Sequence, residues 1–165
     1  AGEVAERLAS AGAALLVRAV GEIASGEARR LPQDHARATY APPLRREEEQ
    51  INWTDEALSL YNLIRGLNPR PGAYTTFRGR RLKIWRAALP AAAGGGIKET
   101  GNASVSLPED ALPGTVLAHE GRLLVAAGKG GILELLEVQP AGKRPISGGD
   151  FYRGYRLGAG ARLGE

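Results

Sequence analysis

The chain has no cysteine, no methionine, only two histidines and only nine aromatic residues among its 165 positions. Lack of cysteine excludes disulfides, thiolate metal ligands and a cysteine nucleophile together. His35 and His119 stand far apart in the sequence, so a histidine-rich metal site is not expected. No uninterrupted apolar run approaches the ~20 residues that span a bilayer, and no basic-then-apolar start reads as a signal peptide. A cytoplasmic protein with no membrane partner is the expectation. The missing methionine fits a processed chain or one cut from a longer protein. With 43% apolar and 24% charged residues the chain can bury a core, and its length suits one domain with an appendage.

Acidic residues are missing from one long window. Residues 57–98 contain Arg65, Arg70, Arg78, Arg80, Arg81, Lys83, Arg86 and Lys98 with no Asp or Glu. By contrast, residues 1–56 carry 7 basic and 10 acidic side chains, and residues 99–137 carry 2 and 6. Lys143, Arg144, Arg153, Arg156 and Arg162 add further cations near the end. Positive charge concentrated on one part of a fold is the footprint of a polyanion partner, most often nucleic acid, although a solvated basic face has the same composition.

Helical spacing of Val4, Leu8, Ala11, Leu15, Leu16, Val20 and Ile23, with Gly26 behind them, predicts a first helix. Pro32, Pro42, Pro43 and a charged run then mark a linker over residues 27–50. Thr54 is placed to cap a second helix whose buried stripe is Ala57, Leu60, Ile64 and Leu67. Asn68, Pro69 and Pro71 end that helix. Five β-prone stretches follow, at 73–77, 81–89, 114–119, 122–127 and 131–138, with a tight turn at Glu120 and Gly121 and loops at 91–96 and 101–113. A short last helix is expected at 150–155. Five short strands flanked by helices predict a mainly β fold, a small OB-like barrel preceded by a linker and an isolated N-terminal helix.

Catalytic patterns are absent. Gly128, Lys129 and Gly130 lack the GxxxxGK spacing of a phosphate loop and read as a hairpin turn. Asp34 beside His35 has no nearby nucleophile, and Glu47, Glu48 and Glu49 read as solvated acids. Asn102 to Ser104 forms a glycosylation sequon, which carries no weight without a secretory signal. The residues by themselves describe a module that faces nucleic acid and has no active site of its own.

Four runs are far more specific: QDHARATYAPPLRREEEQINW (33–53), YNLIRGLNPRPGAYT (61–75), LKIWRA (82–87) and LEVQPAGKRPISGGDFYRG (136–154). In this order they resemble the bacterial methionyl-tRNA formyltransferase family, and LAxxGAxLL at 8–16 resembles the last helix of that family's catalytic domain. The resemblance implies that residues 1–26 are that helix, 27–50 the linker and 51–165 an OB-like tRNA-binding domain. It also implies that the catalytic Asn, His and Asp, and the site for the co-substrate 10-formyltetrahydrofolate, lie outside the chain. No catalytic residue and no bound cofactor is therefore expected within it.

The partner implied is initiator methionyl-tRNA. Arg45 and Arg46 stand where the family has lysines, and Lys143 and Arg144 match the basic pair after QPAG, so all four are expected to contact phosphate, as are Arg65, Arg70, Arg78, Arg80, Arg81 and Lys83. Arg70 departs from the Trp common between the two prolines. Asn68, Pro69, Pro71 and Gly72 are expected to form a rigid structural turn, with Gly142 in another. So few aromatics, several of them expected in the core, favour phosphate contact over base stacking. The apolar stripe of the first helix suggests a homodimer through that helix. Two other readings stay open: a self-standing RNA-binding OB module, and the tail of a different formyltransferase.

Overall fold

The computed structural model describes residues 1–90, 111–119, 121–158 and 160–165. The loop expected at 91–96, most of that at 101–113, Lys98, the sequon and Glu120 lie outside the described residues. Contacts divide the chain into two units, Ala1–Leu44 and Arg45–Glu165.

In the first unit, α1 runs over Gly2–Ser25 and ends at Gly26, whose left-handed φ of 78° lets its N–H reach the Ile23 carbonyl. None of its residues is buried, and Leu8, Leu16 and Ile23 are each about two-thirds exposed. By length and composition alone α1 is long and apolar enough to cross a membrane. Glu3, Glu6, Arg7, Arg18 and Glu22 interrupt it, so no unbroken apolar run marks it in the sequence. Further on, Asp34 Oδ1 accepts the Ala36 N–H at 3.0 Å and caps a single 3₁₀ turn, His35–Arg37. That bond gives Asp34 a local structural role.

The second unit is a mainly β half-barrel with flanking helices. α2 (Ala57–Leu67) buries Leu60, Ile64 and Leu67. It begins later than expected and Thr54 does not cap it: the Thr54 hydroxyl donates to Asn52 Oδ1 at 2.8 Å, while Glu56 is held extended by a bridge to Gly128. The strands are β1 (Ala73–Phe77), β2 (Arg80–Ala88), β3 (Val116–His119), β4 (Arg122–Ala126), β5 (Ile132–Pro140) and β6 (Ile146–Ser147). α3 (Gly148–Gly154) closes the order, with the Ser147 hydroxyl accepting the Asp150 N–H at 3.0 Å.

All pairings between these strands are antiparallel, in the spatial order β1-β2-β5-β4-β3 with β6 on β5. Leu82, Ile84, Leu133, Leu135 and Val138 point inward and pack with α2 and Phe151. The two ends of the strand path, β1 and β3, do not pair with each other. Instead, residues 160–164 bond to both. Val116 N–H donates to Ala161 O at 2.7 Å, Leu163 N–H to Gly114 O at 2.9 Å, and Gly164 N–H to Thr76 O at 2.8 Å. Such a stretch, GARLG, has no alternating pattern to mark it in the sequence.

Candidate nucleic-acid interface

The basic window folds mainly into the β1–β2 hairpin. Its two-residue turn is Arg78-Gly79, with φ of 50° and 69°, the geometry of a type I′ turn that matches the twist of the strands. Beyond the turn, alternation puts Leu82 and Ile84 in the core and Arg81, Lys83 and Trp85 on the outer face. Opposite them on β1, Thr76 pairs with Arg81 and Tyr74 with Lys83.

Four cations of the window lie over aromatic rings: Arg65 over Tyr61 at 5.0 Å, Arg78 over Phe77 at 4.9 Å, Arg81 over Tyr74 at 4.1 Å and Lys83 over Trp85 at 5.0 Å. Each ring attracts its cation and restricts its motion without neutralising it. Lys83 is also tied to the backbone, its Nζ donating to the Pro71 carbonyl at 2.9 Å. Lys83 is therefore part of the scaffold as well as of the charged face.

The Asn68 to Gly72 turn is built around a defect in the sheet. β2 has a bulge at Trp85, where pairing skips from Ile84↔Val138 to Arg86↔Glu137. The Trp85 carbonyl accepts Asn68 Nδ2 at 2.6 Å, and its indole N–H donates to Gln139 Oε1 at 3.0 Å. Gly72 has φ 86°, and a Cβ there would sit 2.8 Å from the Trp85 ring, so both conformation and space require glycine.

Gln139 carries the connection to the second basic cluster. Its Nε2 donates to the Lys143 carbonyl at 2.8 Å, Ala141 N–H donates to the Arg81 carbonyl at 3.1 Å, and Gly142 turns with φ 73°. The QPAGK string thus ties the end of β5 to β2. It brings Lys143 to the same cleft as Arg78, Arg80 and Arg81, about 210 Å³ in volume, whose apolar wall includes Phe77, Phe151 and Tyr155. Arg78, Arg80, Arg81, Lys143 and Arg144 are exposed and pair with no described acid.

The other expected contact residues are not brought into that cleft. Arg45 and Arg46 lie at a 3₁₀ turn (Arg46–Glu49) that also carries three acids, with Glu48 Oε2 accepting the Arg45 backbone N–H at 2.6 Å. Arg65 is on the exposed side of α2, and Arg70 is exposed between the two prolines. The aromatic wall was not legible as part of a site, since alternation in β1 marks Phe77 only as a core residue. Among the described residues, no group of His, Asp and Glu gathers that could hold a metal. Lys129 belongs to a turn and pairs with Glu56, which raises its amine above the ordinary lysine value through the hydrogen bond and then the charge.

The family described as formyl transferase, C-terminal domain, matches residues 43–156. Among curated proteins, the methionyl-tRNA formyltransferase of Moorella thermoacetica is 45% identical over 99% of this chain and 48% of its own length. That of Bacillus subtilis is 41% identical over 99% and 47%, and that of Bacillus velezensis 39% over the same shares. The chain spans about half the length of these relatives. Among solved structures, HypX from Aquifex aeolicus in complex with tetrahydrofolic acid shares the fold, with a TM-score of 0.59 at 15% identity over 87% of this chain and 23% of that one. With more than half its residues matched, the chain belongs to the formyl transferase C-terminal domain family.

Proposed function

We propose that this chain is the carboxy-terminal, tRNA-holding portion of a methionyl-tRNA formyltransferase. In this reading residues 1–26 are the last helix of the catalytic half, 27–50 the linker and 51–165 an OB-type barrel. The barrel grips initiator methionyl-tRNA in the cytoplasm while the catalytic half transfers a formyl group from 10-formyltetrahydrofolate to the methionyl amino group. The names of the relatives supply the reaction. The observation that carries the gripping role is the gathering of Arg78, Arg80 and Lys143 at one cleft, with Arg81 on the adjoining outer face and no described acid paired to any of them.

These residues would hold phosphate and position the tRNA without reading its sequence. Choice of the initiator then falls to the catalytic half. The basic cleft, about 210 Å³, is small beside the roughly 300–1,000 Å³ of sites that bury a drug-sized ligand. A second cleft, near Trp53 and Arg162, is about 360 Å³ but broad and open. In this reading the co-substrate belongs to the other half, as the family resemblance implies.

Titrating the chain with initiator tRNA at several salt concentrations tests the grip. The expected affinity is about 10⁻⁴ to 10⁻⁶ M near physiological salt, and reversing Arg78, Arg80 and Arg81 to Glu weakens it and flattens the log–log salt slope by about three. Unchanged affinity and slope would leave the window as a solvated basic face.

A further inference from the structure

Three of the chain's nine aromatics meet at the wall of the basic cleft. Phe77 stands edge-on to Phe151, with centroids 5.3 Å apart, and to Tyr155 at 5.8 Å, while Phe151 and Tyr155 lie 4.5 Å apart. Phe151 is wholly buried and Phe77 nearly so, but Tyr155 is only half-buried and offers ring surface to the opening. Purely electrostatic phosphate contact requires none of this apolar wall.

Arg78 makes the same point from the backbone. The first central position of a type I′ turn calls for Asn, Asp or Gly, because φ is positive there. This chain puts Arg in that position at φ 50°, with its guanidinium carbon over the Phe77 ring, 4.9 Å from the centroid. Lys129 and Arg156 share the positive φ, at 55° and 49°, and what sets Arg78 apart is the ring beneath its guanidinium. A guanidinium with one face on a ring has its other face available to a second flat group, a use lysine cannot serve.

The occupant that fits is planar and anionic. The volume, about 210 Å³, suits a single ring system, and Arg80 and Lys143 at the opening would hold negative charge beside it. We infer that this cleft takes one unstacked nucleotide of a single-stranded RNA segment, its base against Tyr155 and Arg78 and its phosphates on Arg80 and Lys143. The inference rests on the tRNA-holding reading and deepens it, since it adds a base contact to a grip otherwise made through phosphate. A base paired within a helix cannot enter, so the site favours a loop or an end of the RNA.

The test uses the full chain with three probes: tetrauridylate, a 12-base-pair RNA duplex and uridine 5′-monophosphate. Binding is followed by amide chemical shifts and by fluorescence anisotropy. Tetrauridylate should shift the Arg78 to Leu82 and Tyr155 amides, and Tyr155→Leu should weaken its binding roughly tenfold while leaving duplex affinity within twofold. Arg78→Lys keeps the charge at an exposed position and should lose more of its affinity for tetrauridylate than of its affinity for the duplex. The inference is overturned if both variants bind tetrauridylate as the parent does, or if they lose duplex and single strand equally. It is also overturned if the monophosphate binds as tightly as tetrauridylate, which would make the cleft a site for free nucleotides. Retained, salt-sensitive tRNA binding alongside any of these results would remove the base site alone and leave the phosphate grip standing.

Discussion

Single residues explain why the most recognisable strings of this sequence look as they do. Asn68 satisfies the carbonyl that the β2 bulge leaves open at Trp85, and Gly72 makes room for the Trp85 ring. Neither role is visible in the sequence, which marks these positions only as a helix stop and a turn, because the bulge that calls for them lies seventeen residues away from Asn68. Ser147 and Asp150 were easier to misplace, since the sequence suggests a last helix starting at Asp150 whereas Ser147 caps it from outside. The Ser147 hydroxyl donates to Asp150 Oδ2 at 2.6 Å, and Arg153 pairs with Oδ1 at 2.7 Å. The serine hydrogen bond first, and then the arginine, hold the Asp150 carboxyl below the ordinary aspartate value. A depressed value means that the stabilisation from this carboxylate is complete above the unfolded-state pKa of about 3.9 and is lost as pH falls through the lower folded value. Carbon-detected titration of Asp150 should give a midpoint below that of an unperturbed aspartate, and Ser147→Ala should move it upward. An unchanged midpoint in the variant would assign the shift to Arg153 alone.

At the level of elements, the parts with strong periodicity were legible and those held by long-range bonds were not. β1 coincides with its expected range, and the hydrophobic stripe of α2 is the one its spacing predicts. β6 is only two residues long, and the 160–164 segment owes its place to backbone bonds with β1 and β3. Neither has enough residues to show a period. The first helix raises a different matter. Its stripe of Leu8, Leu15, Leu16, Val20 and Ile23 is exposed, and burying one such side chain is worth roughly 1.5–3 kcal/mol. Pairing of this helix with its own copy would cover the stripe when the chain is alone. Sedimentation at tens of micromolar should then show a dimer for the whole chain and a monomer for a version beginning at Gln33. Two monomers would rule the pairing out.

At the level of the whole molecule, charge was the most legible property and its focus the least. Composition located the acid-free window, yet it could not separate Arg78, Arg80 and Arg81, which share a cleft with Lys143, from Arg65 and Arg70, which do not line it. That separation depends on the QPAGK turn folding back on β2 through Gln139 and Ala141. The proposed division of labour places tRNA holding here and chemistry in the other half, so it is best examined with both halves present. A chimera joining the amino-terminal half of the Moorella thermoacetica relative to this chain provides that. Steady-state formylation of methionyl-tRNA should show the chimera active, with Arg78, Arg80 and Arg81 reversed to Glu raising KM for the tRNA at least about tenfold while KM for formyl folate stays the same. A tRNA KM unaffected by the reversal would contradict the assignment of tRNA holding to this face.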